Sequence, residues 1–278
     1  MVDWLLTQPI WLIALFAGLL TWGITALGAG LVFFFKSMDK KIYALTLGFA
    51  SGVMIAASVW SLILPAMEYS ELLGYIPWIV VSVGVLLGVG FLYGFDKMLP
   101  HVHFGDHKPE GPRTHLSRTR LLIFSITLHN IPEGLAVGVA IGAVGVFLNQ
   151  GDPGIAREAL IAALAVALGI GIQNFPEGAA VSIPLRAEGL SRKKAFFYGQ
   201  ASALVEPVFC IIGALLVTVM AQVLPFALAF AAGAMIFVVV EELIPEARNM
   251  STNTGAHYST WGFTIGFIIM MVLDVALG

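Results

Sequence analysis

Long apolar runs, separated by short polar connections, dominate the chain. Read with a window of about 20 residues, the length an α-helix needs to cross the hydrocarbon core of a bilayer, the pattern predicts eight helices. They cover approximately Ile10–Phe35, Ile42–Ala66, Tyr75–Phe95, Leu121–Val146, Ala159–Leu185, Ala195–Ala221, Val223–Ile244 and Tyr258–Leu277. Almost no loop separates the sixth from the seventh, at Gln222-Val223-Leu224-Pro225, but Pro225 suits the first turn of a new helix. The opening Met-Val-Asp-Trp lacks the basic start of a cleavable signal peptide, so the first run is expected to remain in the mature protein.

Composition places these helices in a membrane. Hydrophobic residues make up 59% of the chain and charged residues 11%, with a mean hydropathy of +0.92, whereas a soluble domain carries about a quarter charged residues. The single cysteine, Cys210, excludes an internal disulfide. The net charge of -3 says less than where the charges lie. Lys36, Lys40 and Lys41 follow the first helix, Lys97, Lys108, Arg113, Arg118 and Arg120 the third, Arg186, Arg192, Lys193 and Lys194 the fifth, and Arg248 the seventh. Of the fourteen basic residues, Arg157 alone falls in an even-numbered connection. By the positive-inside rule the odd connections are cytoplasmic. The expected fold is an all-α integral membrane protein with eight transmembrane helices, both termini outside, and one polytopic domain over residues 1–278. Residues 96–118 form its His-containing cytoplasmic loop.

Charge patterning also exposes a repeat. His129-Asn130-Ile131-Pro132-Glu133-Gly134 in the fourth helix is echoed by Gln173-Asn174-Phe175-Pro176-Glu177-Gly178 in the fifth, and consecutive crossings run in opposite directions. The second helix ends Leu62-Ile63-Leu64-Pro65-Ala66-Met67-Glu68 and the seventh Leu243-Ile244-Pro245-Glu246-Ala247, again on opposite sides. Similar pieces in opposite orientation predict an inverted repeat, with substrate held near the midplane where the halves meet.

A carboxylate in hydrocarbon costs several kcal/mol unless it faces a partner, an ion or a watery cavity, and here one recurs in matched settings. His129 and Glu133 are four residues apart, as are Gln173 and Glu177, so on a helix each pair shares a face and can aim at one point. Imidazole, carboxylate and amide ligands suit Zn²⁺ and also accept Fe²⁺, Mn²⁺, Co²⁺ or Cd²⁺. No cysteine takes part, which favours an ion that is released over a structural one. Pro132 and Pro176 remove the normal partners of the Leu128 and Ile172 carbonyls and favour local kinks. Gly134 and Gly178 allow close helix approach.

Glu206, in Val205-Glu206-Pro207 of the sixth helix, is a third intramembrane acid, and three acids in one cavity repel each other unless cations neutralise them. Asn130 and Asn174 offer oxygens to a second ion, and Glu177 is placed to bridge two. Taken singly, an acid beside a proline also suits interhelical hydrogen bonding, and a lone histidine also suits a helix interior. Two matching copies favour ligation. Met54 reads either as an entrance thioether or as packing; Glu241, Glu242 and Glu246 read as an exit-side relay or a solvated helix end; Asp274 has no assigned role. The tract from Leu99 to His107, with His101, His103 and His107, and His115 beyond it, reads as a loose metal-binding loop or a solvated one.

On these residues the chain resembles the ZIP family of zinc and iron transporters, especially its bacterial GufA-like branch. The similarity rests on the paired signature, Val205-Glu206-Pro207 and Glu242-Leu243-Ile244-Pro245-Glu246, and extends over the whole chain. The resemblance implies a primary metal site of His129, Glu133, Gln173 and Glu177 and a neighbouring one of Asn130, Asn174, Glu177 and Glu206. It implies a homodimer in the inner membrane that moves a divalent transition metal, foremost Zn²⁺, into the cytoplasm by alternating access. Gln173 stands where many members carry histidine, and Asn174 where some carry aspartate, and both changes reduce ligand strength.

Rival classes fare worse. An intramembrane metalloenzyme lacks the His-Glu-x-x-His signature and any nucleophile placed by a motif. A di-metal oxidase would carry Glu-x-x-His pairs. The expected partners are divalent metal ions as substrate, the lipid bilayer and a second copy of the chain, with no catalytic cofactor and no nucleic acid. A channel-like metal path remains the alternative to a carrier.

Overall fold

The computed structural model describes the backbone at residues 2–37, 39–98, 118–187, 189–249 and 255–277, and the side chains of those residues other than 118–126, 129, 249, 255, 256 and 277. Among them there is no strand, and eight helices are long and apolar enough to cross a membrane. These are α1 (Ile10–Phe33), α2 (Lys40–Leu72), α3 (Pro77–Met98), α4 (Arg118–Gln150), α5 (Pro153–Ala187), α6 (Arg192–Val219), α7 (Ala221–Arg248) and α8 (Gly255–Leu277). The His-containing tract expected at 96–118 falls, except for its two ends, outside the described residues.

Several of the helices run a turn or more beyond the lengths expected from hydropathy, because their ends are fixed by capping as well as by apolar content. The Asp39 side chain accepts from the Lys41 amide at 2.7 Å to start α2, and Ser191 from the Lys194 amide at 3.3 Å to start α6. Gly151, with φ +78°, turns the chain between α4 and α5. The α6–α7 boundary is real but slightly earlier than expected: Met220 leaves the helical region (φ −127°, ψ 75°), and a 3₁₀ turn at Ala221–Val223 leads into the helix bearing Pro225.

The packing is symmetric under exchange of the chain's two ends. The most extensive contacts are α2 on α8 and α4 on α6, then α3 on α7 and α1 on α5. Exchanging α1 with α6, α2 with α7, α3 with α8 and α4 with α5 maps these pairs onto one another. It also maps the crosslinks α2–α5 and α4–α7 onto each other. Every exchanged pair has opposite parity in the chain, so its members point in opposite directions. One bundle is α1, α4, α5 and α6; the other is α2, α3, α7 and α8. Apolar side chains on the outer helices face outward, with Leu86 69% and Trp261 62% exposed, as a lipid-facing surface requires.

Irregular backbone lies elsewhere than expected. Pro132 and Pro176 sit within α4 and α5, and both helices continue through them. A proline costs one helical bond, and a long helix absorbs the crowding by a gentle bend when neighbours hold both sides. The breaks fall instead at matched places in α2 and α7, where π-helical segments at Ser58–Ile63 and Val239–Leu243 precede Leu64-Pro65 and Ile244-Pro245. A π turn inserts one extra residue, which gives the proline ring room without ending the helix. A 3₁₀ segment, Ser202–Leu204, likewise precedes the helix that carries Glu206 and Pro207.

Candidate metal site

The two signatures come together where α4 and α5 pack side by side. Their glycines explain how. A Cβ at Gly134 would stand 2.7 Å from the Glu206 carbonyl oxygen, and one at Gly178 would collide with the Thr25 carbonyl oxygen. The last residue of each signature is therefore a notch. It seats α4 against the Glu206 turn of α6 and α5 against α1, which are partners under the exchange described above. Close backbone approach of this kind is what small residues provide between membrane helices.

These seats bury the polar groups. Asn130 and Glu133 are each 1% exposed, and Gln173, Asn174 and Glu206 are 0% exposed; Glu177 is half-buried. The Gln173 amide Nε2 donates to Glu133 Oε1 at 2.9 Å, and the Asn174 Nδ2 donates to both carboxylate oxygens of Glu206 at 3.0 Å. Each bond stays within one of the two ligand sets, Glu133 with Gln173 and Asn174 with Glu206. Asn174 also lies beside Glu133, so it stands between the sets. Glu206 lies in the middle of α6, just past the 3₁₀ segment Ser202–Leu204.

What these bonds leave over defines the chemistry. Glu133 Oε2, Gln173 Oε1, Asn174 Oδ1 and both side-chain polar atoms of Asn130 are buried and make no hydrogen bond within the protein. A buried acceptor without a partner costs about 1–3 kcal/mol, and four such oxygens lie on two adjacent helices. Carboxylate and amide oxygens of this kind suit a divalent cation.

Glu177 and Glu206 lie within electrostatic reach of Glu133, yet among the described residues no three His, Cys, Asp or Glu are grouped as metal ligands. One neutral amide donor sits against Glu133 and another against Glu206. The His129 side chain falls outside the described residues.

Other positions find clear settings. Thr21 of α1, 1% exposed, lies beside Glu206; an isolated threonine in an apolar run gave no hint of this. Met54 is packed in the core at 1% exposure. Glu246 accepts from the Tyr43 hydroxyl at 2.7 Å, joining the ends of α2 and α7, while Glu241 is exposed and Glu242 half-buried. Asp274 accepts from the Ser61 hydroxyl at 2.6 Å, and its second oxygen makes no hydrogen bond within the protein.

Asp274 also lines a cavity of about 370 Å³ together with Glu68, Glu158, Ser61 and Tyr69. Its inner wall reaches Ala140 on α4 and Val166 on α5. Each is two turns from a ligand candidate, Glu133 or Gln173, which is about 10 Å along the helix. Buried apolar residues, among them Val137 and Ile170, lie in the intervening turns.

Comparison with known proteins gives the family. Residues 106–274 match the family profile described as ZIP Zinc transporter. The chain is 40% identical to the zinc transporter ZIP11 of Xenopus tropicalis over 95% of its own length and 97% of the relative's. It is 38% identical to the ZIP11 of Homo sapiens, with the same two shares covered. It is also 38% identical to the zinc transporter GufA of Myxococcus xanthus, covering 95% of this chain and 98% of that one.

Proposed function

Because the chain belongs to the ZIP zinc-transporter family, a family of multi-pass membrane transporters and not enzymes, we propose that it carries Zn²⁺ into the cytoplasm through a midplane site on α4, α5 and α6. His129, Glu133, Gln173 and Glu177 form the primary site, and Asn130, Asn174, Glu177 and Glu206 the neighbouring one. The observation that carries this reading is the set of buried, unpartnered oxygens on Glu133, Gln173 and Asn174 beside Asn130. The ligands are oxygen-rich and include no thiolate, so binding is firm but reversible, and Fe²⁺, Mn²⁺, Co²⁺ and Cd²⁺ are further cargo that such ligands accept.

The unit works as one polytopic domain, a homodimer in the inner membrane, with both termini outside. The distribution of basic residues supports that orientation. The cavity holding Glu68, Glu158 and Asp274 is then the outer approach, where its acids concentrate cations. Alternating access is supported by the division into two bundles, each mapped onto itself by the exchange, whose α2–α5 and α4–α7 contacts form the surface along which one moves against the other.

Uptake of radioactive zinc into proteoliposomes tests the site. Glu177→Ala and His129→Ala are each expected to reduce the initial rate at least tenfold, the lower range for losing a group that holds or orients a metal; rates equal to wild type in both would remove these residues from the path. The same flux is expected to fall as the pH is lowered from neutral to mildly acidic, because metal ligands bind only when deprotonated and protons compete for them. A rate unchanged over that interval would show that the carboxylates do not exchange metal for protons.

A further inference from the structure

A second, smaller cavity, of about 240 Å³, lies in the angle between α2, α7 and α8 at the basic end of the bundle. α2 and α8 touch there, since a Cβ at Gly48 would collide with the Ser259 carbonyl oxygen. Gly48, Ile244 and Phe263 supply an apolar wall, and Arg248, Ser259 and Thr260 the polar one. Lys41 stands close by, its Nζ 5.6 Å from the centre of the Tyr258 ring, so a second cation flanks the same turn of α8.

The setting is the boundary between lipid and water. Tyr258 and Trp261 are 37% and 62% exposed on the first turns of α8, where amphipathic rings mark the headgroup level. Basic pockets between transmembrane helices at this level recognise anionic headgroups, and each Lys or Arg contributes about fivefold in affinity near such a surface. An inorganic phosphate has nothing to place against Ile244 and Phe263. A phospholipid does.

We propose that this cavity is a binding site for one anionic phospholipid, with Arg248 and Lys41 facing the headgroup phosphate and Ile244 and Phe263 receiving the first methylenes of an acyl chain. The bound lipid joins α2, α7 and α8 at the end where Tyr43 and Glu246 already join α2 to α7. The site is independent of the metal ligands and of the direction of transport.

Native mass spectrometry of the full chain in detergent, titrated with phosphatidylglycerol or phosphatidylcholine, provides the test. Wild type is expected to retain one phosphatidylglycerol several-fold better than phosphatidylcholine. Arg248→Gln is expected to reduce that retention about fivefold, and Arg248→Gln with Lys41→Gln to abolish the preference. Arg248→Lys, which keeps the charge, should retain most of it, and Arg192→Gln, on another helix at the same end, should retain all of it. Equal retention of both lipids by wild type, or undiminished phosphatidylglycerol in the double variant, would overturn the proposal. Displacement of the lipid by inorganic phosphate at matched concentration would assign the cavity to a free anion and overturn it as well. Zinc uptake is not the readout, so failure here leaves the transport reading intact.

Discussion

Glu133→Gln is expected to lower zinc uptake by about a hundredfold while the protein still folds, the scale of losing one partner of a desolvated charge pair. The substitution keeps the volume of the side chain and its ability to face the Gln173 amide, which lies 2.9 Å away. It removes the one full charge among the buried, unpartnered oxygens on α4 and α5. A dication moved from water into a site left with the Glu177 carboxylate, amide oxygens and an imidazole has lost half of the formal negative charge that offsets its lost hydration. The effect belongs to metal binding and not to packing, so the variant's thermal unfolding in detergent should match wild type, while uptake fails at all accessible zinc concentrations. Uptake within threefold of wild type would show that the ion does not pass Glu133.

Gly178→Val should damage the fold severely. A Cβ there meets the Thr25 carbonyl oxygen and comes within 2.8 Å of the Ala29 nitrogen. Both are backbone atoms of a helix, which cannot rotate aside as a side chain can. Overpacking in a tight core typically costs 1–3 kcal/mol, and a forced separation of α1 from α5 is expected to reach about 3 kcal/mol. The same shift would move Glu177, one residue earlier, away from α4, so uptake should disappear along with stability. The control is Gly90→Val on α3, where an added Cβ meets nothing within 4 Å and the change should stay within about 0.5 kcal/mol. Comparable unfolding midpoints for the two variants would mean that Gly178 is not the seat of α5 on α1.

The paired signature was legible because its chemistry is local. Residues four apart share a helix face whatever surrounds them, so His129 with Glu133 and Gln173 with Glu177 declared themselves as candidate ligands before any packing was known. Glu206 was legible as a third acid by its cost in hydrocarbon alone. Its partner was not: Asn174 lies 32 positions away on another helix and donates to both of its oxygens. Asp274 resisted assignment for the same reason, since Ser61, which donates to it, is 213 positions away. Thr21 gave no signal at all, because a threonine inside an apolar run differs little from its neighbours until another helix brings an acid beside it.

Prolines were read less well. Pro132 and Pro176, inside the signatures, leave their helices continuous, whereas Pro65 and Pro245 follow π-helical segments. One ring and one missing amide are common to all four. What differs is the local backbone: α-helical turns continue through the first two prolines, and a π turn precedes the other two.

By itself the sequence determined the number of membrane-crossing helices, the segregation of positive charge and the doubled ligand pattern, because each follows from hydropathy summed over one crossing or from spacing within one helix. Only the tertiary structure decided which helices pair, which amide faces which acid, and where cavities open. Those depend on notches such as Gly134 and Gly178 fitting a distant backbone, and a fit between two surfaces is a property of neither strand of sequence alone.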